Sequence, residues 1–360
     1  MILAAMLLVA IGLVSLYSSS LYSHNFANFH KQAVFLAIGF CVFLAMSFFD
    51  WRIFRESSAL ILILYFLSIA GLAGLYFFGS FNRGVRTWYD LGPVTLDPIE
   101  LLKPVLLVLL AKYFSRRHAA MYQARHIMLT GAYVALPAAL IFFQPNFGPC
   151  LVLFALWIGM LAVAGIKMRH FLALVLCGLA VFAFGWLFLM KDYQKDRILS
   201  FFTAYDPMGV SWSQNQAKIA VGTGGLLGKG VGGGSQTQYG FLSEPQTDFI
   251  FAAISEEFGI LGAVALLALL FLLIWRVTRA ALRAPDNFSR LFAAGFALLL
   301  FAEAAIHIGV NIGFLPIIGL PLPLVSYGGS NLIASLAILG VVEGIVVASH
   351  SAIAKEGIKY

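Results

Sequence analysis

Apolar runs of about 17 to 25 residues, separated by short polar breaks, recur from the first residue almost to the last. At about 1.5 Å per residue, each run is long enough as a helix to cross the roughly 30 Å of hydrocarbon in a bilayer. The pattern predicts ten spans, at about 1–19, 31–49, 57–78, 98–114, 127–143, 149–165, 170–190, 249–275, 288–314 and 331–349. The expected fold class is therefore an all-α integral membrane protein. It forms one polytopic domain over 1–360, with a large loop at 191–248 between spans seven and eight. No internal repeat is visible.

Composition excludes the soluble classes, because 61% of the residues are hydrophobic and 11% charged. The charge of +7 bears on topology instead. Alternate breaks carry Arg52, Arg55, Lys112, Arg116, Arg117, Arg125, Lys167, Arg169, Arg276, Arg279, Arg283 and Arg290, and the tail carries Lys355 and Lys359. The short breaks on the other side hold only Lys31, Arg83 and Arg86. By the positive-inside rule the first set is cytoplasmic, and so are both termini. The basic residues form no aromatic-interleaved patch, so nucleic acid is not an expected partner. Cys41, Cys150 and Cys177 lie in apolar runs without paired spacing, and no disulfide or zinc site is expected. The first run has no basic leader and no small-residue cleavage pattern after Ser18, Ser19 and Ser20, so it reads as a retained span.

Three segments, 79–99, 191–247 and 315–330, concentrate glycine, proline, aromatics and charge on the outer face, which places a site at that surface. In the longest, Gln214–Leu227 has helical composition, with Ala217, Ile219, Ala220 and Val221 available to lie on the membrane surface. From Gly228 to Gly240 glycine dominates. It permits positive φ and close approach of backbone N–H groups to a ligand, or else gives a flexible loop. Pro316, Pro321, Pro323 and Gly328-Gly329 cannot continue a helix, and their surroundings are too apolar for a solvated loop. A re-entrant turn buried against protein is expected.

Charges inside the apolar runs are the candidate chemistry. Asp248 sits where the eighth span begins, and taken alone it reads as a helix N-cap. Its company, three polar outer segments and a cluster of intramembrane charges, shifts the balance towards a reactive carboxylate and leaves the cap as the alternative. Glu256 and Glu257 follow more than two turns deeper, where a carboxylate costs several kcal/mol unless paired, so they read as structural or cavity-lining. Glu100 and Lys103, at i and i+3, share a face and can pair with each other or with the carboxylates of span eight. Asp97-Pro98-Ile99-Glu100 has the form of a capping box with proline at N1; Lys103 has no capping role, and a site or salt-bridge role is expected for it. Glu303, His307 and Asn311 draw a polar stripe at spacing four along span nine, a pattern used mostly for interhelical hydrogen bonds.

The run from Gly222 to Gly259 includes Gly230-Val231-Gly232-Gly233-Gly234-Ser235-Gln236 and Glu244-Pro245-Gln246-Thr247-Asp248-Phe249-Ile250-Phe251-Ala252, then Glu256-Glu257-Phe258-Gly259. Together with Asn311-Ile312-Gly313, Gly319-Leu320-Pro321-Leu322-Pro323 and Ser326-Tyr327-Gly328-Gly329-Ser330, it resembles the shape, elongation, division and sporulation (SEDS) family over the whole span plan. Elongation-type members are the nearest look-alikes, and division-type members are their siblings. There are departures: Gly84-Val85-Arg86-Thr87-Trp88 carries one arginine fewer than the family's usual pattern, Ile99 replaces a serine, and Asn146 replaces an aspartate.

The resemblance implies an inverting peptidoglycan glycosyltransferase that polymerises lipid II, an undecaprenyl-diphosphate-linked disaccharide peptide. The reaction would take place at the outer face of the bacterial cytoplasmic membrane, for cell elongation and shape, beside a class B penicillin-binding protein. The family's essential aspartate maps onto Asp248, and its fourth-span Glu and Lys map onto Glu100 and Lys103. A sugar hydroxyl is a weak nucleophile, which gives Asp248 the role of general base. The departing diphosphate needs positive charge or N–H dipoles, for which Arg83, Arg86, Lys103, Lys218 and Lys229 with the glycine-rich backbone are candidates. Gln236, Asn311 and Ser326 complete the expected contacts. No metal ligand cluster is seen and no cofactor is required, though a divalent cation could share the charge of the diphosphate. Two rivals are a lipid II flippase using Lys103, Glu256, Glu257 and Glu303 as a polar path, and a non-catalytic scaffold for the transpeptidase.

Overall fold

The computed structural model describes residues 1–21, 24–80, 87–92, 94–117, 124–144, 146–190, 195, 199 and 212–357. Its helices follow the apolar runs: α1 (Ile2–Ser20), α2 (Ala27–Phe48), a single-turn α3 (Arg52–Glu56) and α4 (Ser58–Phe78). A two-residue hairpin, β1 (Tyr89–Asp90) and β2 (Thr95–Leu96), is paired antiparallel with Tyr89 opposite Leu96. It is followed by α5 (Pro98–Arg117), α6 (Ala124–Phe143), α7 (Phe147–Val163) and α8 (Met168–Phe184), the last continuing into a π-helical turn at Gly185–Leu189. The chain ends with α9 (Trp212–Thr223), a short α10 (Ser235–Gln238), α11 (Ile250–Leu282), α12 (Asn287–Asn311) and α13 (Gly329–Gly357). The hairpin is a local addition to the all-α membrane fold that the sequence predicts. It is held to α4 by the Tyr89 hydroxyl, which donates to the Gly71 carbonyl at 2.6 Å.

Among the described residues, eight helices are long and apolar enough to cross a membrane: α1, α2, α4, α6, α8, α11, α12 and α13. The other two predicted spans coincide with α5, which carries Glu100, Lys103 and Lys112, and with α7, which is 17 residues long. α12 is the hub of the bundle and packs on α5, α7, α11 and α13, while α13 also lies along α2. α8 buries none of its residues against the protein, and leucines such as Leu176 and Leu179 face outward all round it. In hydrocarbon such a helix is stable because its backbone bonds are internal.

Where proline interrupts a span, a neighbour replaces the lost bond. Pro137 of α6 has no N–H for the carbonyl of Tyr133 four residues earlier. The Tyr65 hydroxyl of α4 donates to that carbonyl at 2.9 Å.

α11 is not continuous. Gly259 takes φ 67° and ψ −163°, which splits it after two turns. The glycine-rich segment threads through the break: the N–H groups of Lys229 and Gly230 donate to the carbonyls of Glu256 and Glu257 at 3.0 and 2.9 Å. On the other side, the N–H groups of Ile260 and Leu261 donate back to Gly225 and Leu226 at 2.8 and 3.2 Å. The backbone groups freed by the break are thus paired, as an apolar medium demands.

The packing is too close for side chains. A Cβ on Gly228 would lie 2.1 Å from the Glu257 carbonyl oxygen, and φ there is +80°. Gly228→Ala is expected to cost about 2 kcal/mol or more and to unseat the segment, seen as a lower thermal midpoint and faster proteolysis near 225–234. Gly230→Ala, with φ +84° but nothing within 4 Å, carries only the left-handed backbone cost of about 1 kcal/mol. Equal losses at both positions would contradict the threading.

Candidate active site

The segment Glu244–Asp248 is a tight turn leading into α11, in which the Phe249 N–H donates to the Glu244 carbonyl at 3.0 Å. Ile250 is the first helical residue and Phe249 occupies the cap position. Asp248 therefore stands one residue outside the cap, which corrects the reading of it as an N-cap.

The main chain on either side of Asp248 is held from three directions. Asn311, fully buried at the end of α12, donates from Nδ2 to the Asp248 carbonyl at 2.9 Å and accepts from the Ala252 N–H at 3.0 Å. Ser326 donates to the Thr247 carbonyl at 2.8 Å while accepting from the Leu322 N–H at 2.8 Å, and the Tyr327 N–H donates to the Gln246 carbonyl at 2.8 Å. The Gln246 side chain reaches Ser19 at 2.9 Å and Asn28 at 2.7 Å, at the ends of α1 and α2. Asn311 and Ser326, expected to touch substrate, touch the backbone that carries Asp248. Leu320, Leu322, Leu324 and Val325 are buried, so residues 315–328 form the protein-packed irregular turn expected of them.

The half-buried Asp248 side chain lines a narrow crevice with His307, Val310, Gly319 and Leu320, too tight to hold a water. Its Oδ2 comes within 3.6 Å of where a Cβ would stand on Gly319, whose φ of +62° also favours glycine. His307 Nδ1 lies 2.7 Å from the Leu320 carbonyl oxygen. A carbonyl only accepts, so the imidazole's proton is on Nδ1 and its lone pair on Nε2. That Nε2 is buried and has no hydrogen-bond partner. In the sequence His307 is one member of the polar stripe; its fourfold spacing from Asn311, which grips the Asp248 carbonyl, is the available signal.

α9 closes one side. Gln214 Nε2 donates to the carbonyls of Val310 and Leu315 at 3.0 and 2.5 Å, and Ala217 and Ala220 are completely buried between α11 and α12. The helix predicted to lie on the membrane surface is therefore packed into protein, because its alanine face fits flush against its neighbours; Ile219 points outward. Lys218 is exposed, its side chain passes over Gly313, and it makes no ion pair among the described residues.

The glycine-rich segment folds around a carboxylate rather than presenting open N–H groups. Glu256 accepts from the N–H groups of Gln236 and Thr237 at 2.9 and 3.1 Å, from the Thr237 hydroxyl at 3.0 Å and from Lys229 Nζ at 2.8 Å. Lys229 and the N–H of Gln236 are thus engaged internally, while Gln236 Oε1 is buried without a partner. Glu257 accepts from Ser18 of α1, which in turn accepts from the Gly232 N–H at 2.7 Å. The two glutamates do not sit in an uninterrupted span, as the sequence suggests; they stand just before the break at Gly259, where their carboxylates accept from the glycine-rich segment, α10 and α1. The serines at the end of α1 were not predicted to take part.

Lys103 lies buried between Glu100, at 2.7 Å, and Glu303 of α12, at 2.6 Å. It pairs with Glu100 as predicted, and with span nine rather than span eight. Asn331 donates to the second Glu100 oxygen at 2.9 Å. The capping box is only half formed: Asp97 Oδ1 accepts from the Ile99 N–H at 2.8 Å, but the Asp97 N–H goes to Ser330 at 3.2 Å instead of to Glu100. Burial and the nearby Glu100 push the Asp97 carboxyl up to about 7. Arg83 and Arg86 lie outside the described residues. Among the described residues no group of three His, Cys, Asp or Glu is arranged to hold a metal ion.

The family model described as "Cell cycle protein", which covers FtsW, RodA and SpoVE, matches residues 1–351. The chain belongs to the SEDS family. It is similar to the peptidoglycan glycosyltransferase MrdB of Escherichia coli K12, 35% identical over 311 residues that cover 86% of this chain and 83% of the relative. Stage V sporulation protein E of Bacillus subtilis is 34% identical over 96% of this chain and 95% of its own. Among solved structures, a chain from a peptidoglycan synthase complex that coordinates polymerization and crosslinking superposes with TM-score 0.82 at 30% identity, covering 97% of both chains. RodA of Thermus thermophilus superposes with TM-score 0.70 at 30% identity, over 96% of this chain and 94% of its own. This SEDS chain is accordingly a multi-pass membrane protein with a RodA-like fold.

Proposed function

We propose that the chain is a peptidoglycan glycosyltransferase that polymerises lipid II at the outer face of the bacterial cytoplasmic membrane, with Asp248 as general base. The observation that carries this reading is the crevice. There a half-buried carboxylate sits on a backbone clamped by Asn311, Ser326 and Tyr327, and it shares its walls with an imidazole nitrogen that has no partner. The activity named for MrdB supports the assignment. In this reading the acceptor sugar hydroxyl loses its proton to Asp248 and attacks the anomeric carbon of the donor. The bond to the lipid diphosphate breaks with inversion, and the lipid diphosphate leaves. Since the crevice is too narrow for a sugar, substrate entry requires the 315–328 turn or α9 to shift.

Lys218 is assigned to the leaving diphosphate, together with Arg83 and Arg86; a divalent cation is an optional addition. Lys229 and Lys103 act through the carboxylates they already hold. α5 and α7 also cross, giving ten spans, with both termini cytoplasmic by the distribution of Lys and Arg. The partner is a class B penicillin-binding protein, in keeping with the peptidoglycan synthase complex that the fold matches, and the elongation role follows the likeness to RodA.

His307 is assigned to accept, through Nε2, a proton passing out of the crevice. His307→Asn places an amide N–H near the position of Nδ1, keeping a side-chain donor for Leu320, but removes the basic lone pair. It is expected to lower kcat at least tenfold and to change the pH profile of lipid II polymerisation, with the thermal midpoint unchanged. An unaltered pH profile would remove His307 from the mechanism. Detection of polymer from purified lipid II tests the function itself, and labelled lipid II crossing vesicles without polymer would favour the flippase instead.

A further inference from the structure

At the far end of α11, roughly 40 Å of helix beyond Asp248, a second cavity of about 230 Å³ opens between α11 and α13 beside the start of α1. Arg276, Arg279 and Arg283 stand on one face of α11 at spacings of three and four, and Ala280 and Val346 give the cavity an apolar floor. Glu343 of α13 lines it too, and one of its carboxylate oxygens, Oε2, is buried without a hydrogen-bond partner. Among the described residues none of the three guanidinium groups forms an ion pair with Glu343 or with any other carboxylate. The Arg279 guanidinium lies over the Trp275 ring, 5.4 Å from its centroid.

Three arginines and one carboxylate around a common cavity would ordinarily neutralise one another. Here the cavity keeps them apart: the exposed guanidinium groups are available to an anion, and the buried Glu343 oxygen is available to a donor carried by the same ligand. The arginine side calls for an anion with several acceptor oxygens, and guanidinium forks fit a phosphate best. The Glu343 side accepts only, and therefore calls for a donor such as a hydroxyl. The apolar floor, the outward-facing Phe271 and Leu282 and the Trp275–Arg279 stack place the cavity at headgroup depth, where aromatic and basic residues collect.

We propose that this cavity binds the headgroup of an anionic phospholipid whose phosphodiester carries a hydroxyl-bearing alcohol, as in phosphatidylglycerol. The three arginines hold the phosphate, and Glu343 accepts from a headgroup hydroxyl. The site stands apart from the Asp248 crevice and does not depend on its chemistry.

Native mass spectrometry of the purified full chain in detergent, titrated separately with phosphatidylglycerol, phosphatidic acid, phosphatidylcholine and inorganic phosphate, tests the proposal. Phosphatidylglycerol is expected to be retained, phosphatidylcholine to be retained at least tenfold less well, and equimolar phosphate not to displace the lipid. R276Q/R283Q should weaken retention roughly thirtyfold. E343A should cut the preference for phosphatidylglycerol over phosphatidic acid severalfold. Thermal midpoints in fixed detergent should be the same in all variants, which confirms that they are folded. Unchanged retention in R276Q/R283Q, equal binding of phosphatidylcholine, or displacement by phosphate would each overturn the proposal, as would a headgroup preference unaffected by E343A.

Discussion

Asp248→Asn is expected to lower the rate of lipid II polymerisation by roughly 10²- to 10⁴-fold, the contribution of a positioned general base, without loss of stability. The second half of that expectation comes from how the segment is held. Asn311 binds the Asp248 carbonyl, Ser326 the Thr247 carbonyl and the Tyr327 N–H the Gln246 carbonyl, so the clamp grips main chain and is indifferent to the side chain it presents. Asparagine is nearly isosteric and keeps an acceptor oxygen, but it cannot take a proton at neutral pH. Asp248→Glu keeps the basicity and moves it outward by one methylene; a displacement of that order costs about 10²-fold in positioned catalysis. Melting curves that match wild type, with rates ordered wild type, Glu, Asn, would fit the account. A collapse of stability in Asp248→Asn would instead return Asp248 to a structural role.

Lys103→Met is expected to be the most damaging structural change, costing about 3–5 kcal/mol. Lys103 sits between Glu100 and Glu303 at 2.7 and 2.6 Å, all three buried. Without the ammonium, two carboxylates face each other in an apolar setting and both must be protonated or solvated. The single variant should yield little folded protein. The triple variant E100Q/K103M/E303Q removes all three charges together and should recover most of the lost thermal stability, because a buried charge cluster is often replaceable as a set. Polymerisation by the recovered triple variant would then show that the trio braces α5 against α12. A folded triple variant without activity would place Lys103 on the substrate.

The spans were legible because a helix in hydrocarbon must be long, apolar and internally bonded, and few other sequences meet those demands. The 315–328 turn was legible for the same reason, since prolines that cannot continue a helix have to be buried against protein. Less visible was the break at Gly259. A lone glycine in a helical pattern is usually tolerated, and only the pairing with Gly225–Gly230, some thirty residues away, turns it into a break. The partners of Glu256 are likewise distant in sequence: its carboxylate meets the N–H groups of Gln236 and Thr237, which composition suggested were open to a ligand. His307 was seen as one of three polar residues on a stripe, yet nothing in the spacing distinguishes a satisfied imidazole from one whose Nε2 is left without a partner. α9 was recognised as a helix, but its small residues read as well for a membrane surface as for close helix packing. Their burial decides in favour of packing.

The central claim is that this chain forms glycosidic bonds and that Asp248 is required for them. The most direct test is glycan chain formation from purified lipid II by the isolated wild-type chain and by Asp248→Asn, in a preparation free of other polymerases, with and without a class B penicillin-binding protein and a chelator. The account predicts polymer from wild type and none above background from the variant in every arm where wild type is active. Polymer from Asp248→Asn at the wild-type rate, or no polymer from wild type in any arm, would contradict it.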